Sequence, residues 1–194
     1  MVALKNAGAT SAPNQPSESD LVQRAVSGEQ DAFATLYDAY IEQIYRFIYF
    51  RVGDGQTAED LTSQVFLKAW DKLSSYQIRG LPFSAWLFRI ARNSVIDYYR
   101  TFKETTPLEP DVIARPDPAA DVDEKVERRL EAEEVRLALQ HLTEDQRQVL
   151  TLRFIEGLST EEVAQVIGKR QGAIRALQMR GLQALAQMIE TSNE

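Results

Sequence analysis

Large apolar residues in this chain recur at three- and four-residue intervals, and no stretch alternates convincingly at period two. From Asp31 to about Val52, the residues Phe33, Leu36, Tyr37, Tyr40, Ile44 and Ile48 form one stripe. Only a helix at 3.6 residues per turn gathers that spacing onto one face, because a strand would scatter it over both. The same rhythm returns in Leu61, Val65, Phe66, Ala69, Trp70 and Leu73, and in Phe83, Trp86, Leu87, Ile90, Ala91 and Val95. The spacing predicts an all-α fold.

Breakers and caps set the helix ends. A short helix is expected over 19–27, closed by Gly28, and Gly53-Asp54-Gly55 ends the long one. Thr57 with Asp60 reads as the start of the third helix, and the fourth runs over about 83–102. Pro107, Pro110, Pro116 and Pro118 among acids read as an extended linker. Helices resume near Val126. Thr143 with Gln146 and Ser159 with Glu162 fit capping boxes starting helices at about 144 and 160, and a last helix covers about 170–189. The expected organisation is a disordered tail over 1–18, a helical domain over 19–103, an acidic flexible linker over 104–125 and a second helical domain over 126–194.

Charge follows these boundaries. The net charge of −7 argues against a nucleic-acid binder if it is evenly spread, and it is not. Residues 1–103 carry 11 acids and 11 bases, and residues 135–194 carry 7 of each. The excess belongs to residues 104–134, with 11 acids and 4 bases. Aromatics are uneven too: 16 of the 17 lie between Phe33 and Phe102. With no cysteine and one histidine, the chain has no disulfide or thiol chemistry and little scope for His-based metal or triad chemistry. No apolar run reaches a membrane-spanning length, no secretory leader is readable, and a reducing cytosol fits the missing cysteines.

The sharpest local pattern is LSTEEVAQVIGKRQGAIRALQMRGLQAL at 158–185. Counted from Thr160 as a helix-turn-helix, Ala164 is fifth, Gly168 ninth, Ile174 fifteenth and Leu177 eighteenth. Ala164 is small where the helices cross, and Gly168 can take the positive φ of the turn. Val163, Ile167, Ile174 and Leu177 face inward. The second helix then projects Lys169, Arg170, Gln171, Arg175, Gln178 and Arg180, with no acid between Glu162 and Glu190. Arg and Gln near such a helix's start reach base edges in a major groove, and Arg180 meets phosphate. The plainer reading is a helix hairpin with solvated arginines.

A second candidate lies on the fourth helix. Arg89, Arg92, Asn93 and Arg100 occupy the face opposite its apolar stripe, bordered by Tyr76, Phe83, Trp86, Tyr98 and Tyr99. Aromatic faces stack unpaired bases while arginines hold the backbone, which makes a single-strand platform. Phe83 and Trp86 sit on the apolar face and suit the core better than a stacking role. Enzymatic readings fare worse. Glu59-Asp60 and Glu161-Glu162 are adjacent helical residues that diverge by about 100°, so neither pair converges on a substrate. No Gly-rich phosphate loop appears, and no catalytic residue, cofactor, metal or small-molecule substrate is expected. An autonomous duplex-binding regulator or a sequestering adaptor stays open.

Taken together, DAFATLYDAY (31–40), AEDLTSQVFLKAW (58–70), FSAWLFRIARNSVIDYYR (83–100), LTEDQRQVLTLRFIEGLSTEEVAQVIG (142–168) and GAIRALQMR (172–180) resemble bacterial sigma factors of the sigma-70 family. They resemble in particular the small two-domain extracytoplasmic-function (ECF) group. The resemblance implies a non-catalytic, cytoplasmic initiation subunit of RNA polymerase. Region 2 would open and read the −10 element as a single strand, and region 4 would read the −35 element as duplex. It places the polymerase clamp-helix contact on Asp60, Leu61, Gln64 and Lys68. The −10 loop falls on Ser74–Phe83, with Tyr76 and Arg79, beside Trp86 and Asn93. The −35 readers fall on Arg170, Gln171, Arg175 and Met179, with Arg180 on phosphate. The polymerase flap would be held by the back domain's first helices, and the acidic linker would thread the polymerase cleft or serve as a solvated spacer. An anti-sigma factor is a further expected partner. The chain departs from the family's usual pattern at Ser63 and Gln64, and at Ala173-Ile174-Arg175-Ala176-Leu177.

Overall fold

The computed structural model describes residues 16–77, 81–105 and 133–192, and among these every regular element is helical. Helix α1 spans Glu18–Val26 and opens with a capping box. Asp20 N–H donates to Ser17 Oγ at 3.2 Å, and Ser17 N–H donates to the Asp20 carboxylate at 3.2 Å. The helix therefore begins inside the stretch read as tail. The rest of that tail, the tip of the loop at 78–80 and all but the first two residues of the expected linker lie outside the described residues.

Helix α2 (Gln30–Val52) ends at Gly53, whose φ of 76° lets its N–H turn back to the Tyr49 carbonyl at 2.8 Å. A side chain there would sit in the left-handed region and cost about 1–2 kcal/mol. Helix α3 (Gly55–Lys72) follows two residues after α2, and its cap corrects the sequence reading. Asp54, not Thr57, is the N-cap, with Thr57 N–H donating to its carboxylate at 2.7 Å. The extended residue next to the glycine is already in cap geometry, and its charged oxygen is the stronger acceptor. A 3-10 turn (Leu73–Ser75) leads towards α4, which runs over Phe83–Thr105 and is longer than expected. Leu36, Ile44, Phe47 and Ile48 of α2 meet Val65 and Ala69 of α3 and Leu87, Phe88, Ala91 and Val95 of α4 in the front core. Phe47 and Phe88 meet edge to face, with centroids 5.4 Å apart.

In the back half, residues 133–140 form α5, followed by α6 (Glu144–Leu150), α7 (Thr160–Ile167) and α8 (Gln171–Ser192). Both expected capping boxes are present, Thr143 with Gln146 and Ser159 with Glu162. A π-helical turn over Thr151–Ile155, which periodicity gave no hint of, continues α6. It widens the coil, so that Glu156 N–H reaches the Thr151 carbonyl at 3.0 Å and Glu156 turns towards the front half.

The two halves are docked. One buried apolar cluster runs from Val22 and Leu36 in front to Val149, Val163 and Ile174 behind, and α7 lies against α4. Among the described residues no helix is long and apolar enough to cross a membrane.

Candidate nucleic-acid interface

The back site is built almost wholly from local instructions. Ser159 and Glu162 start α7, with Glu162 N–H on Ser159 Oγ (3.2 Å) and Ser159 N–H on the Glu162 carboxylate (2.7 Å). Gly168 closes the helix at φ 77°, and the N–H groups of Gly168 and Lys169 both donate to the Ala164 carbonyl, at 2.9 and 3.1 Å. The turn then delivers α8, whose Ala173 and Ile174 N–H groups donate to the Arg170 carbonyl. Val163, Ala164, Val166, Ile167, Ile174 and Leu177 are buried between α7 and α8, which sets their crossing.

This leaves Lys169, Arg170, Gln171, Arg175, Met179 and Arg180 exposed on one end of α8, with Gln178 half-buried beside them. The first turn of α8 holds no acid, so the helix's positive end and the cations add to one another, as suits a phosphate-bearing partner. Lys169 is partly engaged, donating to Asp145 at 2.9 Å. Gly181 sets the depth of α8, since a Cβ there would lie 3.1 Å from Leu150 Cδ1. That requirement left no trace in the local pattern.

The front site is less self-contained. Tyr76, Phe83 and Trp86 form a cluster, with centroids 4.9 Å apart for Tyr76–Trp86 and 5.5 Å for Phe83–Trp86. The Tyr76 hydroxyl donates to the Leu81 carbonyl at 2.5 Å, and burial raises its pKa, so it remains a protonated donor clamping the loop. Phe83 is only 3% exposed and has its faces taken by Tyr40, Tyr76 and Trp86. It is a core residue and not a free stacking surface, because a ring at the start of α4 has three aromatic neighbours to cover it. Trp86 is half-buried, and Arg89, Asn93 and Arg100 are exposed. Arg92 is drawn away: with its amide oxygen turned towards them, Gln148 of α6 accepts from Arg92 Nε at 2.9 Å and from Arg51 at 3.3 Å. Tyr99 donates to the Arg51 carbonyl at 2.6 Å. Arg79 lies outside the described residues.

On α3, Asp60 and Gln64 are exposed, and Lys68 reaches Ser94 Oγ at 2.9 Å. Leu61 is 5% exposed and belongs to the core, so it offers no contact surface here. Leu67, 66% exposed, and Trp70 extend the outer face instead. The outward position of Leu67 is legible in its spacing, a Leu off the apolar stripe at i+7 from Asp60 and i+3 from Gln64.

Comparison with known proteins follows the same division. The family model for Sigma-70 region 2 matches residues 36–104, and that for Sigma-70, region 4 matches residues 132–185. The chain is 40% identical to the ECF RNA polymerase sigma factor BldN of Streptomyces coelicolor, over 88% of this chain and 65% of that protein. It is 31% identical to the ECF RNA polymerase sigma factor SigX of Bacillus subtilis, over 85% of this chain and 87% of that protein. A solved structure of CnrH in complex with the cytosolic domain of CnrY overlays with a TM-score of 0.68 at 27% identity, over 90% of this chain and 97% of that one. Neither half alone is long enough to reach that score, so both halves contribute to the overlay.

Proposed function

Because this chain belongs to the sigma-70 family, in its ECF group, we propose that it serves as a dissociable promoter-recognition subunit of cytoplasmic RNA polymerase without catalytic chemistry of its own. The observation that carries this is the acid-free exposed face of α8 in the same chain as the aromatic and arginine face of α4. One suits duplex and the other suits a single strand, and initiation needs both.

In this reading Arg170, Gln171, Arg175, Gln178 and Met179 enter the −35 major groove, while Lys169 and Arg180 hold phosphates. Tyr76, Trp86, Arg89, Asn93 and Arg100 engage the −10 strand once it is unpaired, with the half-buried Trp86 as the stacking ring. Asp60, Gln64 and Lys68, extended by Leu67 and Trp70, meet the clamp helices of core polymerase. The back domain's first helices hold the flap. The front domain extends from Glu18 to Thr105, and the acidic segment after it tethers the two reading heads. An anti-sigma protein is the expected regulator; the solved structure of CnrH holds that protein in complex with the cytosolic domain of CnrY.

The test is reconstitution. The isolated protein should bind promoter duplex weakly, yet direct start-site-specific transcription with core polymerase. Tight sequence-specific duplex binding without core would favour an autonomous regulator. Core binding without permanganate-reactive open DNA would favour an adaptor.

A further inference from the structure

The stacking rings of α4 are seated on a residue of another helix. Leu36, Tyr40 and Ile44 recur at four-residue spacing along α2, so the stripe that fills the front core also carries one tyrosine to the start of α4. Tyr40 is 8% exposed, and its ring lies against Phe83 with centroids 5.7 Å apart and planes inclined by 57°. Phe83 in turn meets Tyr76 edge-on at 5.8 Å and Trp86 at 5.5 Å. The four rings come from three places in the chain. Tyr76 closes the 3-10 turn, Phe83 and Trp86 occupy the first turn of α4, and Tyr40 comes from the middle of α2.

Stacking an unpaired base favours a ring whose plane is set beforehand, because ordering a side chain on binding forfeits part of the contact. Trp86 is half-buried, and the rings beside it, Tyr76 and Phe83, set its plane. Tilted and edge-on aromatic contacts fix an angle as well as a distance. Tyr76 is held by its hydroxyl on the Leu81 carbonyl, and Phe83 is held against Tyr40. The Tyr40 hydroxyl is tied down as well. Burial, with the Glu18 carboxylate at the start of α1 as its hydrogen-bond partner, holds it well above the ordinary tyrosine range, so it stays protonated. Helix α1 also packs on the 3-10 turn that leads to Tyr76.

We propose that Tyr40 is a positioning residue for the −10 platform: its ring seats Phe83, and Phe83 sets the planes of Trp86 and Tyr76 on which an unpaired base stacks. Tyr40 is buried and acts through Phe83. The proposal rests on the sigma-factor reading for the identity of the strand, whereas the ring packing does not depend on it. A positioning role predicts weaker single-strand capture with −35 reading intact.

The test uses the full chain with core polymerase, at a temperature where circular dichroism shows every variant folded. The probes are a fluorescent single strand carrying the −10 sequence of a promoter that the holoenzyme transcribes, and a duplex carrying its −35 element. Tyr40→Leu removes the ring and should bind the −10 strand about tenfold more weakly, with −35 duplex binding unchanged. Tyr40→Phe keeps the ring and should restore capture to within about twofold. Phe47→Leu is the stability control, since it takes a ring from the same core where it packs on Phe88. It should lower the urea midpoint of the free chain and leave capture unchanged. A second measurement needs no DNA. The chain has two tryptophans, so in a Trp70→Phe background Trp86 emits alone. Acrylamide should quench it more readily in Tyr40→Leu than in Phe47→Leu. Equal loss of capture in Tyr40→Leu and Phe47→Leu would overturn the proposal, because capture would then follow stability alone. Unchanged capture in Tyr40→Leu would overturn it too, as would a Tyr40→Phe variant as weak as Tyr40→Leu. An unmodified chain that binds core and never captures a −10 strand would overturn the sigma reading itself, and the role of Tyr40 with it.

Discussion

The basic end of α8 and the basic face of α4 look alike as sequences and behave differently as structures. On α8, every cation expected to face outward does so apart from the Lys169–Asp145 contact, because the turn, caps and crossing that orient the helix lie within about twenty residues. On α4, Phe83 is taken into the core between its neighbours Tyr76 and Trp86 and the distant Tyr40 of α2, and Arg92 is turned towards Gln148 of α6. A site built from one supersecondary unit can be placed from its own sequence. A site on a helix that also carries a domain core and a junction cannot.

That contrast can be broken or sharpened by substitution. The largest effect should come from Phe83→Ala, which removes a buried ring and should cost about 3–5 kcal/mol in denaturant unfolding. Trp86→Ala removes a half-buried ring and should cost less stability than Phe83→Ala while suppressing strand opening read by permanganate. If the two effects were exchanged, the assignment of core and platform on α4 would be reversed. Arg175→Ala should lower −35 discrimination at one position by about 1–3 kcal/mol, read by competition among mismatched promoters, with no change in unfolding. Asn93→Ala should alter −10 preference in the same assay and leave the −35 profile alone. Ser159→Ala removes one capping oxygen of α7 and should cost about 1 kcal/mol of thermal stability.

The smallest effect is in pH. The Arg136 guanidinium bonded to Glu133 holds that carboxyl below its usual range, so its stabilisation is present at neutral pH and lost as pH falls through the lowered value. Glu156 runs the other way: burial raises its pKa, so the folded state takes up a proton first and gains relative stability as pH falls through that raised value towards 4.5. Glu156→Gln should flatten the second trend in a pH series of unfolding midpoints. It should also perturb the packing of the two halves less than Arg46→Ala, which takes from that buried carboxylate its ion-pair partner.

How much could be read in advance depends on the distance over which each cause acts. The capping boxes at Thr143 and Ser159 are three-residue hydrogen-bond arrangements, and both are present as expected. The reading of Thr57 failed by three residues, since Asp54 beside the left-handed Gly53 was the better cap. Leu61 and Phe83 were placed on contact surfaces by resemblance. Burial decided otherwise, and burial depends on what lies opposite. The π turn at 151–155 and the close approach of Gly181 to Leu150 are answers to packing and leave no local periodic signal.

The sequence by itself determined the helices, the capped starts at Ser159 and Thr143, the division into two charge-balanced halves and the outward face of α8. These follow from backbone hydrogen bonding, side-chain periodicity and caps that act within one or two turns. Tertiary structure alone decided which aromatics of α4 remain available and that α2 packs on the back half through Phe50, Arg46 and Arg51. The physical reason is that desolvation and ion pairing between residues some hundred positions apart depend on docking geometry, and no local spacing encodes it.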